Sequence, residues 1–219
     1  MQNKTLAACL AASCAVPALA QTGASLQIGT TGYGFDVGQQ LTERFGARIG
    51  YSALNYSHAF DTSDVDYDGK IKLSNLRALA DYDLGHGFRV SGGLVFGNNR
   101  VDVHGKPSGG TYTFNGTAYP TTHVNSVDGR VDLGRKVAPY VGIGYGMPGR
   151  KGWGFHADLG AMYVGKSRST LDVRCGAALT PAQCTRLRND AETERQKMQD
   201  KADAYTWYPV LNLGVSYGF

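Results

Sequence analysis

The stretch Tyr205-Thr206-Trp207-Tyr208-Pro209-Val210-Leu211-Asn212-Leu213-Gly214-Val215-Ser216-Tyr217-Gly218-Phe219 decides the fold class. Its odd positions (Tyr205, Trp207, Pro209, Leu211, Leu213, Val215, Tyr217 and Phe219) are apolar or aromatic. Its even positions carry Thr206, Tyr208, Asn212, Gly214, Ser216 and Gly218, with Val210 the one apolar exception. A period of two places these sets on opposite faces of a strand. A soluble barrel turns its greasy face inward, whereas a membrane barrel turns it outward and sets aromatics at both ends of the apolar band. Tyr205 and Trp207 at one end, with Tyr217 and Phe219 at the other, fit the membrane arrangement. A soluble lipocalin-like barrel is the alternative that shares the alternation.

The pattern recurs upstream. Trp153, Phe155, Ala157, Leu159, Ala161 and Tyr163 oppose His156, Asp158, Gly160 and Met162, and Val137, Pro139, Val141, Ile143 and Tyr145 oppose Lys136, Ala138, Tyr140, Gly142 and Gly144. Phe88, Val90, Leu94 and Phe96 oppose Arg89, Ser91 and Gly93, and Leu76, Ala78, Ala80 and Tyr82 oppose Arg77 and Asp81. Tight connections read at 41–45, 84–88 and 147–153, and long ones at 60–68, 104–125 and 173–204. That alternation matches short periplasmic turns and long external loops. Seven strand regions result, and an even count requires an eighth. The apolar parity flips between Leu26, Ile28 and Tyr33, Phe35, Val37, so Gly29-Thr30-Thr31-Gly32 is either a bulge in one long strand or a tight turn between two short ones. We expect an all-β chain: an antiparallel, eight-stranded transmembrane β-barrel with one helix in a long loop.

The bulk properties agree. The 219 residues include 30 Gly and 13 Tyr, which suits turns, crowded sheet positions and strands. Beyond the N-terminus no run of about 18 apolar residues offers a helical span, which leaves a closed barrel as the way across a membrane. Residues 1–20 read as a signal peptide, with Lys4, an apolar run from Leu6 to Val16, and Ala18-Leu19-Ala20 as the cleavage site. Leu6-Ala7-Ala8-Cys9 resembles a lipobox, but too few residues separate Lys4 from Cys9. The barrel domain then spans 21–219. Cleavage removes Lys4 and takes the net charge from +4 to +3. Scattered cations at so low a charge exclude a nucleic-acid surface. The two remaining cysteines, Cys175 and Cys184, are expected to form a disulfide in an oxidising compartment.

The inward parity holds Asp36, Arg48, Arg77, Asp81, Arg89, Asp128, Arg130, Asp132, Lys136, His156 and Asp158. These are expected to form a mutually compensating polar network in the lumen, since an unpaired desolvated charge costs several kcal/mol. His156 and Asp158 alone do not make a hydrolytic site. Asp64, Asp66 and Asp68 with Gly69 open like an EF-hand calcium loop, but Asn75 stands where the bidentate glutamate belongs, so this is a weak calcium candidate and no metal is expected. Gly214-Val215-Ser216-Tyr217-Gly218 has the letters of a nucleophile elbow without its strand-to-helix context. No catalytic residue and no cofactor is expected.

The segment 180–204 breaks the β pattern and reads as a helical insert. Thr180 is its cap, Pro181 begins the first turn and Gln183 completes a capping-box spacing. Leu187, Ala191, Met198 and Ala202 give it a thin apolar stripe, with Arg188–Glu192 and Glu194–Lys197 as candidate pairs. Residues Thr111 to Tyr119 read as a hairpin turning at Asn115-Gly116, either displaying its aromatics or extending the barrel wall.

The ending Leu211, Leu213, Val215, Tyr217, Phe219 resembles the closing signal of Gram-negative outer-membrane proteins, read during assembly by the barrel-assembly machinery. Together with the signal peptide and chain length, it resembles the small eight-stranded class that includes OmpA-type and OmpW-type barrels. The resemblance implies location in the bacterial outer membrane and contact with its lipid; with no appended domain following Phe219, the cell-wall-binding module of full OmpA-type proteins is expected to be absent. The function expected is non-enzymatic: envelope structure or surface interaction, with an external ligand or protein as partner. A narrow channel for small solutes or ions and a lipid-modifying barrel enzyme are the alternatives.

Overall fold

The structure is a computed structural model that describes residues 21–61, 65–107, 110–146 and 151–219. The expected signal peptide and most of the 147–153 turn lie outside the described residues. The elements are β1 (Thr22–Gly29), β2 (Gly32–Gln40), β3 (Phe45–Asp61), β4 (Val65–Gly85), β5 (Phe88–Gly97), β6 (Arg100–Pro107), β7 (Thr111–Phe114), β8 (Thr117–Pro120), β9 (Val124–Asp132), β10 (Val137–Tyr145), β11 (Gly152–Tyr163), β12 (Arg168–Cys175), α1 (Pro181–Asp203) and β13 (Trp207–Gly218).

Eight of these strands close a ring. The order is β1-β2-β3-β4-β5-β10-β11-β13, and β13 pairs back onto β1 with Gly23 opposite Gly218. Every neighbouring pair is antiparallel. Closure removes the sheet edges that a lipid environment forbids. The parity flip near residue 30 is a tight turn, because Gly29 lies opposite Gly32 with two residues between them. Gly32 has φ +99°, and a Cβ there would meet the carbonyl oxygen of Ala53 at 2.2 Å; only glycine fits.

That turn ends β1 and β2 at the rim, while their neighbours continue past it. The β3–β4 pairing runs on to Asp61 opposite Asp66, so the expected 60–68 loop is mostly strand. The first part of β4 pairs with β6, β6 with β9, and β9 with β12. A five-stranded sheet, β3-β4-β6-β9-β12, therefore rises from one side of the rim and prolongs the wall built by β3, β4, β5, β10 and β11.

The barrel exterior is apolar. On β13, Trp207, Leu211, Leu213, Val215 and Tyr217 are exposed while Val210, Asn212 and Ser216 are buried. From Trp207 to Tyr217 the strand rises about 33 Å, or about 25 Å of height at a tilt near 40°, the thickness of the apolar band of such barrels. Aromatic pairs mark the end where β1 begins: Phe45–Tyr82, Phe88–Tyr145 and Trp153–Tyr217, with centroids 4.9, 5.3 and 5.2 Å apart. Tyr163 and Trp207, 5.2 Å apart, mark the rim end. Among the described residues no helix is long and apolar enough to cross a membrane.

Candidate functional site

The lumen is packed with side chains that the inward parity of the strands delivers. Arg48, from β3, sits at the centre. Its Nε lies 2.6 Å from Asp81 of β4, and its Nη2 lies 3.3 Å from Asp158 of β11. Arg89 of β5 donates to Asp158 at 2.6 Å, and Arg77 of β4 donates to Asp36 of β2 at 2.9 Å. The Ser91 hydroxyl donates to Asp81 at 2.5 Å. All six charged side chains are buried, and three arginines face three aspartates, so the charges balance. Taking these ions out of water carries a desolvation cost that only such dense pairing offsets. His156 is buried beside them, with Nε2 3.4 Å from the Gln27 side-chain oxygen.

A second layer nearer the rim is apolar: Leu79, Val95, Ala138, Tyr140, Met162, Val164 and Val210 pack together. Val210, the exception in the strand's polar face, belongs here. The void between the two layers measures about 10 Å³, about the room one water needs. Two ring glycines make the charged layer possible. A Cβ at Gly50 would lie 1.6 Å from an Asp36 carboxylate oxygen, and one at Gly144 would lie 2.8 Å from both Arg89 and Asp158.

Of the eleven residues expected in the lumen, Asp36, Arg48, Arg77, Asp81, Arg89, His156 and Asp158 are there. Asp128, Arg130, Asp132 and Lys136 are not. The β5–β10 register sets Phe96 opposite Val137, and extending it would set Arg100 opposite Leu133, yet Arg100 lies opposite Asp132. One extra residue between β9 and β10 therefore flips the parity. It turns Asp128, Arg130 and Asp132 to the outer face of the rising sheet, and Lys136 lies exposed in the break. Ser52, Asn75, Tyr140 and Asn212 also fill the lumen; their inward parity was the available signal, masked by their lack of charge.

The outer face of the rising sheet carries a cleft of about 730 Å³ lined by Ser57, Lys70, Asp102, His104, Asp128 and Arg130, among others. Arg130 donates to Asp102 at 2.7 Å, and His104 pairs with Asp128. Asp68 is exposed on β4, opposite Ala59 and His104, in a strand instead of a calcium loop. Asp64 and the Asp66 side chain lie outside the described residues. Among the described residues no group of three or more His, Cys, Asp or Glu converges as a metal site.

The opposite face, continuous with the lumen side of the barrel wall, receives α1 and the β7–β8 hairpin. Thr180 caps α1 with the capping box complete, and Cys175 and Cys184 form a disulfide. Leu187 and Ala191 pack with Val124, Val173, Tyr112 and Phe114. The hairpin aromatics Tyr112 and Phe114 are thus buried, and the hairpin is a separate two-stranded sheet that does not extend the wall. Met198, by contrast, is exposed. Glu192 pairs with Arg195 at 2.7 Å instead of Arg188, while Glu194 pairs with Lys197 at 3.6 Å. The Tyr119 hydroxyl donates to Asp190 at 2.5 Å. Burial, then the bond and charge of Asp190, push the Tyr119 pKa up to about 12, and the same hydrogen bond holds the Asp190 carboxyl below the usual range. Ser216 faces the lumen within β13, its hydroxyl 3.4 Å from the Gly154 carbonyl, so the elbow letters sit in a straight strand.

No protein-family model matches the chain, and no curated protein matches it. Among solved structures it is similar to CarO of Acinetobacter baumannii, with TM-score 0.62 and 23% identity over 90% of this chain and 97% of that one. It is also similar to CarO2 of the same organism, with TM-score 0.61 and 23% identity over 91% of this chain and 98% of that one. The fold is that of an outer-membrane β-barrel.

Proposed function

We propose that this barrel is a non-conducting, non-enzymatic protein of the bacterial outer membrane that serves envelope structure and surface interaction. The observation that carries this reading is the filled lumen: three buried Arg–Asp charge balances under an apolar layer, with about 10 Å³ left between them. A hydrated ion needs a continuous wet path, and an eight-stranded ring is narrow enough for side chains to occupy that path. Binding capacity lies above the rim, where β3, β4, β6, β9 and β12 expose a polar face and a disulfide-tethered helix covers the other. With the short turns on the periplasmic side, that sheet stands outside the cell.

Planar-bilayer recording of the purified, refolded chain tests the reading. Wild type is expected to give no steady conductance, and Arg48→Ala with Tyr140→Ala to give measurable current. Steady current through wild type would overturn the plugged lumen in favour of a narrow channel.

A further inference from the structure

Three strand breaks align at the rim: 98–99 between β5 and β6, 133–136 between β9 and β10, and 164–167 between β11 and β12. Where they meet, the wall opens into a cavity of about 430 Å³ lined by Asn98, Asn99, Asp132, Arg135, Lys136, Lys166, Ser167 and Arg168 among its residues. Four cations face one carboxylate. Lys166 also reaches Asp203 of α1 at 3.4 Å, and Arg168 lies opposite Asp132 across the β9–β12 ladder; with Asp203 counted, four cations still outnumber two carboxylates and the local charge is positive.

The depth of this cavity is fixed by its neighbours. The Arg135 guanidinium lies 5.4 Å from the centroid of the Tyr163 ring, and Tyr163 stacks edge-on with Trp207 in the rim-end aromatic pair. Such rings sit at headgroup level, between hydrocarbon and water. Gly165, with φ +67°, lets the Arg135 side chain pass close, for a Cβ there would meet its Nε at 3.2 Å. Below lie the lipid-facing Val137 and Phe96, both exposed. A cationic cavity at headgroup depth, open above an apolar wall, suits an amphiphile whose chains lie on that wall and whose anionic head enters the break.

We propose that this cavity binds the phosphate-bearing headgroup of an outer-leaflet lipid. Arg135, Lys166 and Arg168 supply charge-assisted bonds to phosphate oxygens, and the exposed Asn98 supplies a neutral bond to the rest of the head. The inference rests on the outer-membrane orientation proposed above, and it is independent of whether the lumen conducts.

Native mass spectrometry of the full chain in detergent, offered diphosphorylated or dephosphorylated lipid A, tests it. Wild type is expected to retain the diphosphorylated lipid about tenfold better or more, the scale set by two or more basic contacts to an anionic head. Arg135→Gln, Lys136→Gln, Lys166→Gln and Arg168→Gln together are expected to erase that preference, while Lys70→Gln with Arg130→Gln in the larger cleft leaves it. Heat-modifiable migration confirms that each variant is folded, and single Arg135→Gln and Arg168→Gln variants replace the fourfold one if it does not fold. Equal retention of the two lipids by wild type, or a preference that survives the substitutions, overturns the site. Displacement of the lipid by low-millimolar inorganic phosphate would overturn the lipid source in favour of a free anion. Conductance in bilayers, if found, would sink the plugged-lumen reading and leave this result unaffected.

Discussion

Asp36 shows how a charge is held inside eight strands. Its carboxylate takes a 2.9 Å bond from Arg77, stands 3.9 Å from Arg48, and occupies the space that the missing Gly50 side chain leaves. Removing it leaves Arg77 buried without its partner. Asp36→Asn is therefore expected to destabilise the barrel by about 3–5 kcal/mol, the usual consequence of breaking one side of a buried pair, and Asp36→Asn with Arg77→Gln to recover much of that loss. Urea unfolding in detergent reads both; a double variant as unstable as the single would mean the two side chains do not act as a pair. Leu213 gives the complementary test on the lipid side. It is 55% exposed and lies between the two aromatic ends of β13, while Asn212 beside it is 3% exposed and inward. Leu213→Arg should cost about 2–4 kcal/mol if near the midplane, where the lipid face tolerates charge least, and Asn212→Ser should cost insertion far less. Equal loss of membrane-inserted protein for both would overturn the assignment of faces.

At the scale of elements, the joint between α1 and the β7–β8 hairpin is held by Tyr119 and Asp190 as well as by the apolar cluster. The folded Tyr119 pKa, about 12, stands above its ordinary value near 10, so its contribution is fully present below about pH 10 and is lost as pH rises through about 12. Asp190 runs the other way: its folded value is lowered, so its contribution is present above the usual carboxylate range and fades as pH falls through its own value. Hydrogen exchange in the hairpin is expected to accelerate above about pH 10 relative to its intrinsic rate, and Tyr119→Phe to remove that alkaline step. An unchanged step in the variant would assign it to another group. The sequence made α1 legible because a capping box and a glycine-free polar run have local causes. It made the ring strands legible because lipid outside and packed charge inside impose a strict period of two. Above the rim both constraints vanish. Water wets the outer face of β6, β9 and β12, so charged residues occupy it freely, and the one-residue offset before Val137 carries no compositional mark. Asp128 and Arg130 consequently read as lumen residues, and the Asp-rich ends of β3 and β4 read as a loop.

The whole molecule consists of a ring and a rising sheet that share continuous strands on one side only. β3 and β4, 17 and 21 residues long, cross the rim without interruption, whereas β5, β10 and β11 are joined to their outer continuations through breaks. The ring is stabilised by closure and by its own buried ion pairs. The outer unit rests on the Leu187 and Ala191 cluster and on Cys175–Cys184, a short cross-link worth about 2–3 kcal/mol by the usual loop-closure scale. Two levels of protection follow. Reducing the disulfide should accelerate amide exchange in β12, α1 and the β7–β8 hairpin together, since α1 packs mainly on β12 and also on β7. It should leave the inner strands protected and heat-modifiable migration unchanged, because among the described residues α1 makes no hydrogen bond to a ring strand. The outer halves of β3 and β4 should respond least of the outer sheet, being tied to the ring by unbroken ladders. If reduction instead lowered the temperature of the heat-modifiable transition, ring and sheet would unfold as one unit, and the rim breaks would not be the mechanical boundary that their geometry implies.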